Sequence, residues 1–137
     1  MGDGLMTTLD LEENKFIGEI SGIVISDMES LKMRRQYLWN KSAGYFILSL
    51  GMRNLRGQEL HIDTRMIECT LKFINHSCDP NCRTEIWMVE GLPRIGLFTN
   101  KFIERGTMLS RDYVSGAGSE AEGEKCLCGE ACCNGFF

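Results

Sequence analysis

No apolar run in this 137-residue chain approaches the ~20 residues that span a bilayer, so no membrane protein is expected. No positively charged segment followed by an apolar stretch opens the chain, which argues against a secretory leader. Positive charge is not in excess: 15 Lys and Arg against 19 Asp and Glu leave a net charge of −4. That balance does not suggest direct, sequence-specific nucleic-acid binding, and no compact basic run offers a nuclear import signal. No internal repeat is present. Cysteine, by contrast, is plentiful. There are 7 in all, and four of them fall between Cys126 and Cys133. An odd, clustered set fits metal binding in a reducing compartment better than a disulfide framework.

The bulk composition, 43% hydrophobic and 25% charged, is that of one ordinary globular domain. The pattern is mostly short strands. Phe16 to Ile25 is β-rich and broken by glycine. Tyr45 to Leu50 reads as a buried strand and Leu60 to Asp63 as a short one. Glu85–Glu90 and Pro93–Phe98 flank a turn at Gly91, a hairpin signal. Asp27 to Trp39 carries apolar residues at helical spacing (Met28, Leu31, Met33, Tyr37, Leu38), with Ser26 or Asp27 as its cap. Arg65 to Lys72 is expected to form a helical turn, and Ile103 to Thr107 another turn. Ser115 to Lys125 is rich in Gly, Ser, Ala and Glu without periodicity and reads as a flexible linker. Few helices among many short strands predict a mostly-β fold.

Two segments carry chemistry. One is Asn75-His76-Ser77-Cys78-Asp79-Pro80-Asn81-Cys82. The other is the C-x-C-x4-C cluster Cys126, Cys128, Cys133. Three thiolates in one short loop fall one short of a tetrahedral zinc site. Cys78 is the natural fourth, and it would tie the tail to the polar Asn75-His76 pair. Cys132, adjacent to Cys133, competes for the last place. Cys69 and Cys82 read as buried thiols.

Together these segments resemble the SET domain with its cysteine-rich post-SET tail, the fold of protein-lysine methyltransferases. The family patterns R-F-x-N-H-S-C-x-P-N and E-L-T-F-D-Y are matched by Lys72 to Asn81 and by Met108 to Tyr113, followed by the Cys126 cluster. The run N-C-x-T-x-x-W (Asn81 to Trp87) and the strand Val89 to Phe98 are close to the subgroup acting on lysine thirty-six of histone H3. The resemblance implies small curved sheets around a knot-like core, with the Asn75 segment beneath the loop carrying Tyr113. It divides the chain into a SET domain at 1–114, whose usual preceding strand is missing, a linker at 115–125 and a post-SET tail at 126–137.

The resemblance also assigns roles. Asn75 and His76, the G-x-G element Gly2-Asp3-Gly4, Tyr45 and the tail aromatic Phe136 would hold S-adenosylmethionine. Tyr113 would orient the target amine beside the transferring methyl. Cys78, Cys126, Cys128 and Cys133 would hold a structural zinc ion, the family spacing choosing Cys133 over Cys132. The implied activity is methyl transfer to a lysine of the histone H3 tail, free or in the nucleosome, in nuclear chromatin.

The match departs near the expected active site. Ile20 replaces a channel-lining tyrosine, and Arg111 stands where Phe or Tyr precedes D-Y and helps set how many methyl groups are added. Lys72 replaces an arginine, and Ile67-Glu68 replaces a G-N pair. A guanidinium at Arg111 would repel a lysine ammonium if it pointed inward. These changes make the alternative a catalytically weak or inactive SET module that serves as a chromatin-binding or assembly scaffold.

Overall fold

The computed structural model describes residues 4–40, 46–114 and 125–136, without the side chains of Arg34 and of 37–40. It is mostly β. A first antiparallel sheet joins β1 (Phe16–Ile20) to β7 (Leu92–Thr99) and β7 to β6 (Cys82–Val89). A second joins β2 (Ile23–Ser26), β4 (Glu59–Asp63) and β3 (Ile47–Arg53), with β4 in the middle. A third is a two-strand parallel pair, β5 (Asn75–His76) with β8 (Ser110–Arg111).

The β-rich run after Phe16 divides into β1 and β2 because Gly22 sits directly against β4. A Cβ there would lie 2.6 Å from the Asp63 carbonyl oxygen, too close for any side chain. The β6–β7 hairpin closes on Glu90 and Gly91, both in the left-handed region (φ 51° and 79°), with Val89 facing Leu92. Two positive-φ residues make the turn whose twist matches the flanking strands.

The single helix among the described residues, α1 (Asp27–Asn40), begins where Ser26 and Glu29 form a reciprocal capping box. The Ser26 N–H donates to Glu29 Oε2 (2.9 Å) and the Glu29 N–H to Ser26 Oγ (3.4 Å). Ser26 is thus the cap, while Asp27 serves the first turn by accepting the Met28 N–H. The apolar spacing does not mark the core-facing side: Met28 and Leu31 are 58% and 53% exposed, and Ser30 is buried. A small residue lets the helix lie close to the β2–β4 sheet.

The core draws Ile20, Leu48, Leu50, Ile62, Cys82, Ile95 and Leu97 from the first two sheets and Ile74, Ile103 and Leu109 from the connections, Ile74 and Leu109 directly preceding the two strands of the third. Cys82 is a fully buried thiol, as expected, and burial pushes its pKa up to about 11. Cys69 is half-buried and donates to the Glu19 carbonyl.

The turn expected over Arg65 to Lys72 is shorter and later, a 3-10 turn at Thr70–Phe73. Ahead of it the chain is organised by Lys72 instead of by helical hydrogen bonds. The three donors of an ammonium group meet the carbonyls of Thr64 (3.1 Å), Arg65 (3.3 Å) and Ile67 (3.0 Å), between the Phe46 and Phe73 rings. Lys72→Met is therefore expected to cost about 2 kcal/mol, the scale of hydrogen bonds to a charged group. Chemical denaturation measures it, and an unchanged midpoint would show that the ammonium anchors nothing.

Candidate active site and metal centre

The pairing of β5 with β8 brings the two resembling motifs together. Asn75 faces Ser110 and His76 faces Arg111 in parallel register, and the Ser77 N–H donates to the Arg111 carbonyl (3.0 Å). Tyr113 follows immediately. Its hydroxyl donates to the carbonyl of buried Ile74 (2.6 Å), and its N–H donates to His76 Nδ1 (3.1 Å). The phenol is thereby fixed at both ends against the segment that carries Asn75.

Asn81 fastens the same corner. Its Nδ2 donates to the Met108 carbonyl (2.8 Å), and its Oδ1 accepts the Ser110 N–H (2.9 Å). Its place in the S-C-x-P-N motif was the only sequence signal, and no role was read from it. On the outer side of 107–109 runs the N-terminal segment. Leu109 donates to the Leu5 carbonyl (2.7 Å) and Thr7 to that of Thr107 (3.0 Å). This lays Gly4 on the Asn75 side chain: a Cβ at Gly4 would come 2.5 Å from Asn75 Nδ2 and 2.5 Å from Met108 Cε. Gly4 and Asn75, predicted from opposite ends of the sequence pattern, are neighbours. Gly2, Asp3 and Tyr45 lie outside the described residues, as does 115–124 of the expected linker.

His76 joins this corner to the cysteine cluster. Because Nδ1 accepts a backbone N–H, the neutral ring carries its proton on Nε2, which faces Cys78 Sγ at 3.4 Å. Burial pulls the His76 pKa below its ordinary value. The Asp112 carboxylate, 3.8 Å from Nδ1, opposes that shift, and Arg111 adds to it.

The sulfurs of Cys78, Cys126, Cys128 and Cys133 all lie within 4.8 Å of one another, and those of Cys78 and Cys126 are 3.8 Å apart. Zinc–thiolate bonds of about 2.3 Å in a tetrahedron require sulfurs about 3.8 Å apart, so the set fits zinc. Cys132 is exposed, and its Sγ is directed at the Cys78 carbonyl (3.7 Å) and not at the cluster. Hydrogen bonds from the backbone of Cys78 and Glu130 hold Cys128 down to about 6, whereas burial pushes Cys126 up to about 12. The tail closes through Cys126 N–H to the Gly135 carbonyl (2.9 Å), and Ser77 Oγ donates to Glu130 (3.3 Å). Phe136 pairs with Lys125 across this loop, with its side chain 64% exposed.

Two departures take on a physical meaning. Ile20 is 1% exposed, inside the core, so a tyrosine there would overpack it. Arg111 is 2% exposed, and its guanidinium carbon lies 4.5 Å from the centroid of the Tyr113 ring. It points inward, onto the very side chain the resemblance makes catalytic. That stacking was not legible in the sequence.

Comparison with known proteins agrees with this arrangement. The SET domain family model matches residues 2–114. The human "Histone-lysine N-methyltransferase SETD2" is 37% identical over 99% of this chain, which spans 5% of that protein. The Schizosaccharomyces pombe "Histone-lysine N-methyltransferase, H3 lysine-36 specific" is 35% identical over 99% of the chain, or 16% of its own length. The Drosophila melanogaster "Histone-lysine N-methyltransferase ash1" is 33% identical, again over 99% of the chain and 6% of its own length. With Asn75, His76 and Tyr113 locked together as described, and with a family match covering all but the tail, this chain belongs to the SET-domain family.

Proposed function

We propose that this chain transfers a methyl group from S-adenosylmethionine to a lysine side chain of the histone H3 tail, with lysine thirty-six as the first candidate. The relatives' names, two of the three quoted being general and one specific to that lysine, support the substrate class. The observation that carries the reading is the double anchorage of Tyr113 on Ile74 and His76, one residue to either side of Asn75.

When bound, the donor supplies an electrophilic methyl group on a sulfonium, which a neutral amine can take. The chain's own residues do the rest. The Asn75 carboxamide, with the backbone of Gly4 and His76 beside it, offers the polar groups that would hold the donor; Gly2, Asp3, Tyr45 and Phe136 would extend that site. The Tyr113 hydroxyl gives its proton to the Ile74 carbonyl, which leaves its oxygen lone pairs to accept an N–H of the amine and aim it. Zinc on Cys78, Cys126, Cys128 and Cys133 would hold the tail 126–137 against the 1–114 frame, with 115–125 as the connection. A nuclear, chromatin-associated location follows from the substrate, and no helix among the described residues is long and apolar enough to cross a membrane.

Calorimetry on zinc-loaded protein tests the donor site. S-adenosylmethionine is expected to bind, and Asn75→Ala to weaken it at least about tenfold, the loss of one or two hydrogen bonds in a desolvated site. Absence of binding by the folded, zinc-loaded protein would leave a SET frame acting as scaffold.

A further inference from the structure

We propose that Met108 is a positioning residue for the methyl donor: its side-chain methyl presses Gly4 onto the Asn75 carboxamide, so that the two groups meet the donor as one surface. The inference deepens the reading above and rests on it, in that it takes Gly4 and Asn75 as groups that hold S-adenosylmethionine.

Three observations carry it. The first is convergence. A Cβ built on Gly4 would lie 2.5 Å from Asn75 Nδ2 and 2.5 Å from Met108 Cε. The carboxamide and the thioether methyl therefore close on the same side of Gly4, with only a glycine hydrogen between them. The second is that the backbones behind these groups are fastened separately. Asn75 pairs with Ser110 in the β5–β8 register. Met108 bridges to Met6, and its carbonyl accepts Asn81 Nδ2 at 2.8 Å. Leu5, next to Gly4, accepts the Leu109 N–H on its carbonyl at 2.7 Å. These bonds bring the three strands of chain together, and the Met108 side chain then sets how closely Gly4 lies on the carboxamide. The third is burial. Met108 is 48% exposed and is not among the core residues, so its methyl is turned onto Gly4 without serving the core.

The chemistry of the side chain suits this task. The family pattern E-L-T-F-D-Y, matched by Met108 to Tyr113, carries glutamate at this position. A carboxylate reaching the same gap would accept an N–H from Asn75 and withhold it from a ligand. A thioether is only a weak acceptor, and its unbranched chain fills irregular gaps. Met108 thus supports Gly4 by contact and leaves the carboxamide to the donor.

The test measures S-adenosylmethionine binding by calorimetry on zinc-loaded wild type, Met108→Ala, Met108→Leu, Gly4→Ala and the Gly4→Ala/Met108→Ala double variant, with the thermal midpoint of each alongside. Met108→Ala is expected to weaken binding about fivefold, and Met108→Leu, which keeps the bulk, to stay within about twofold of wild type. Gly4→Ala is expected to weaken binding about tenfold, because its methyl displaces the carboxamide. The double variant is expected to bind no more weakly than Gly4→Ala alone, since the alanine methyl then fills the space that Met108 vacates. A merely structural Met108 would lower the midpoint without moving the donor affinity of the folded protein. Met108→Ala binding within about twofold of wild type, an equal loss in Met108→Leu, or single losses that multiply in the double variant would each overturn the proposal. Failure of the wild type itself to bind would remove the donor site, and this proposal with it. Wild-type binding that is indifferent to Met108 would remove this proposal alone.

Discussion

Cys126→Ser is expected to abolish stoichiometric zinc binding and to remove amide-exchange protection from residues 125–136, while Cys132→Ser leaves both unchanged. The contrast follows from geometry. Cys126 is buried, with its sulfur 3.8 Å from that of Cys78, whereas Cys132 is exposed and directed at a carbonyl. Structural zinc contributes on the order of 10 kcal/mol to the folding of small metal-bound units. Few hydrogen bonds otherwise close the described tail, chiefly Cys126 N–H to the Gly135 carbonyl, Cys133 N–H to the Glu130 carbonyl and Ser77 Oγ to Glu130. Elemental analysis and hydrogen exchange measure the two outcomes, and a fully protected tail without zinc would refute the site.

The same cluster predicts a steep pH dependence. Zinc binds thiolates, so each thiol still protonated must release its proton. At pH 7, Cys128, at about 6, is already ionised. Cys126, at about 12, is not, and Cys78 is raised as well. Binding then releases at least these two protons. Zinc affinity should accordingly rise with pH by about a hundredfold per unit above 7. A flat profile between pH 7 and 8 would mean that the thiolates are preformed.

His76 joins the cysteine cluster to the other half of the site. One ring nitrogen faces the Cys78 sulfur at 3.4 Å, and the other accepts the Tyr113 N–H at 3.1 Å. The His76 ring thus touches both the Cys78 sulfur and the backbone of Tyr113. A tail that looks remote in sequence is one side chain away from the tyrosine.

Much of this was legible in the sequence, for identifiable reasons. The hairpin at Gly91 and a helix cap at Ser26 or Asp27 are local, written in turn and capping chemistry that depends on two to four neighbouring residues. Three candidate sulfurs were legible because ligand spacing is a strong constraint on a short loop, while Cys78 was suggested by its motif beside Asn75-His76 and Cys133 was preferred to Cys132 by the family resemblance; the structure brings these four together. Other features were set by long-range contacts that a linear reading does not contain. The apolar spacing of α1 suggested an inward Met28 and Leu31, yet buried Ser30 marks the near side, because close approach to the sheet needs a small residue. Lys72 read as a weakened arginine, but its three donors find three carbonyls that converge only in the folded loop. Arg111 could be read as inward or outward until the β5–β8 pairing fixed its direction. Asn81, which holds Met108 and Ser110, was visible only as a letter in a motif.

Tyr113→Phe is expected to reduce methyl transfer by about 10²-fold while leaving S-adenosylmethionine affinity within about threefold. The hydroxyl contributes one hydrogen bond to Ile74, worth about 1 kcal/mol to stability, so the variant should remain folded, with a slightly lower unfolding midpoint. Its catalytic share is larger, because the phenol oxygen positions the nucleophile, and misplacing a reacting group by about 1 Å costs about 10²-fold. The ring itself would stay, since the Tyr113 N–H still bonds His76 and the guanidinium of Arg111 still lies over the ring face. That separation is what makes the substitution informative. A turnover loss confined to kcat, with donor binding and fold retained, isolates the hydroxyl as the group that orients the amine. A variant transferring methyl within about threefold of wild type would instead make Tyr113 a support for Arg111 and His76, and would move the search for the orienting group elsewhere in the same corner.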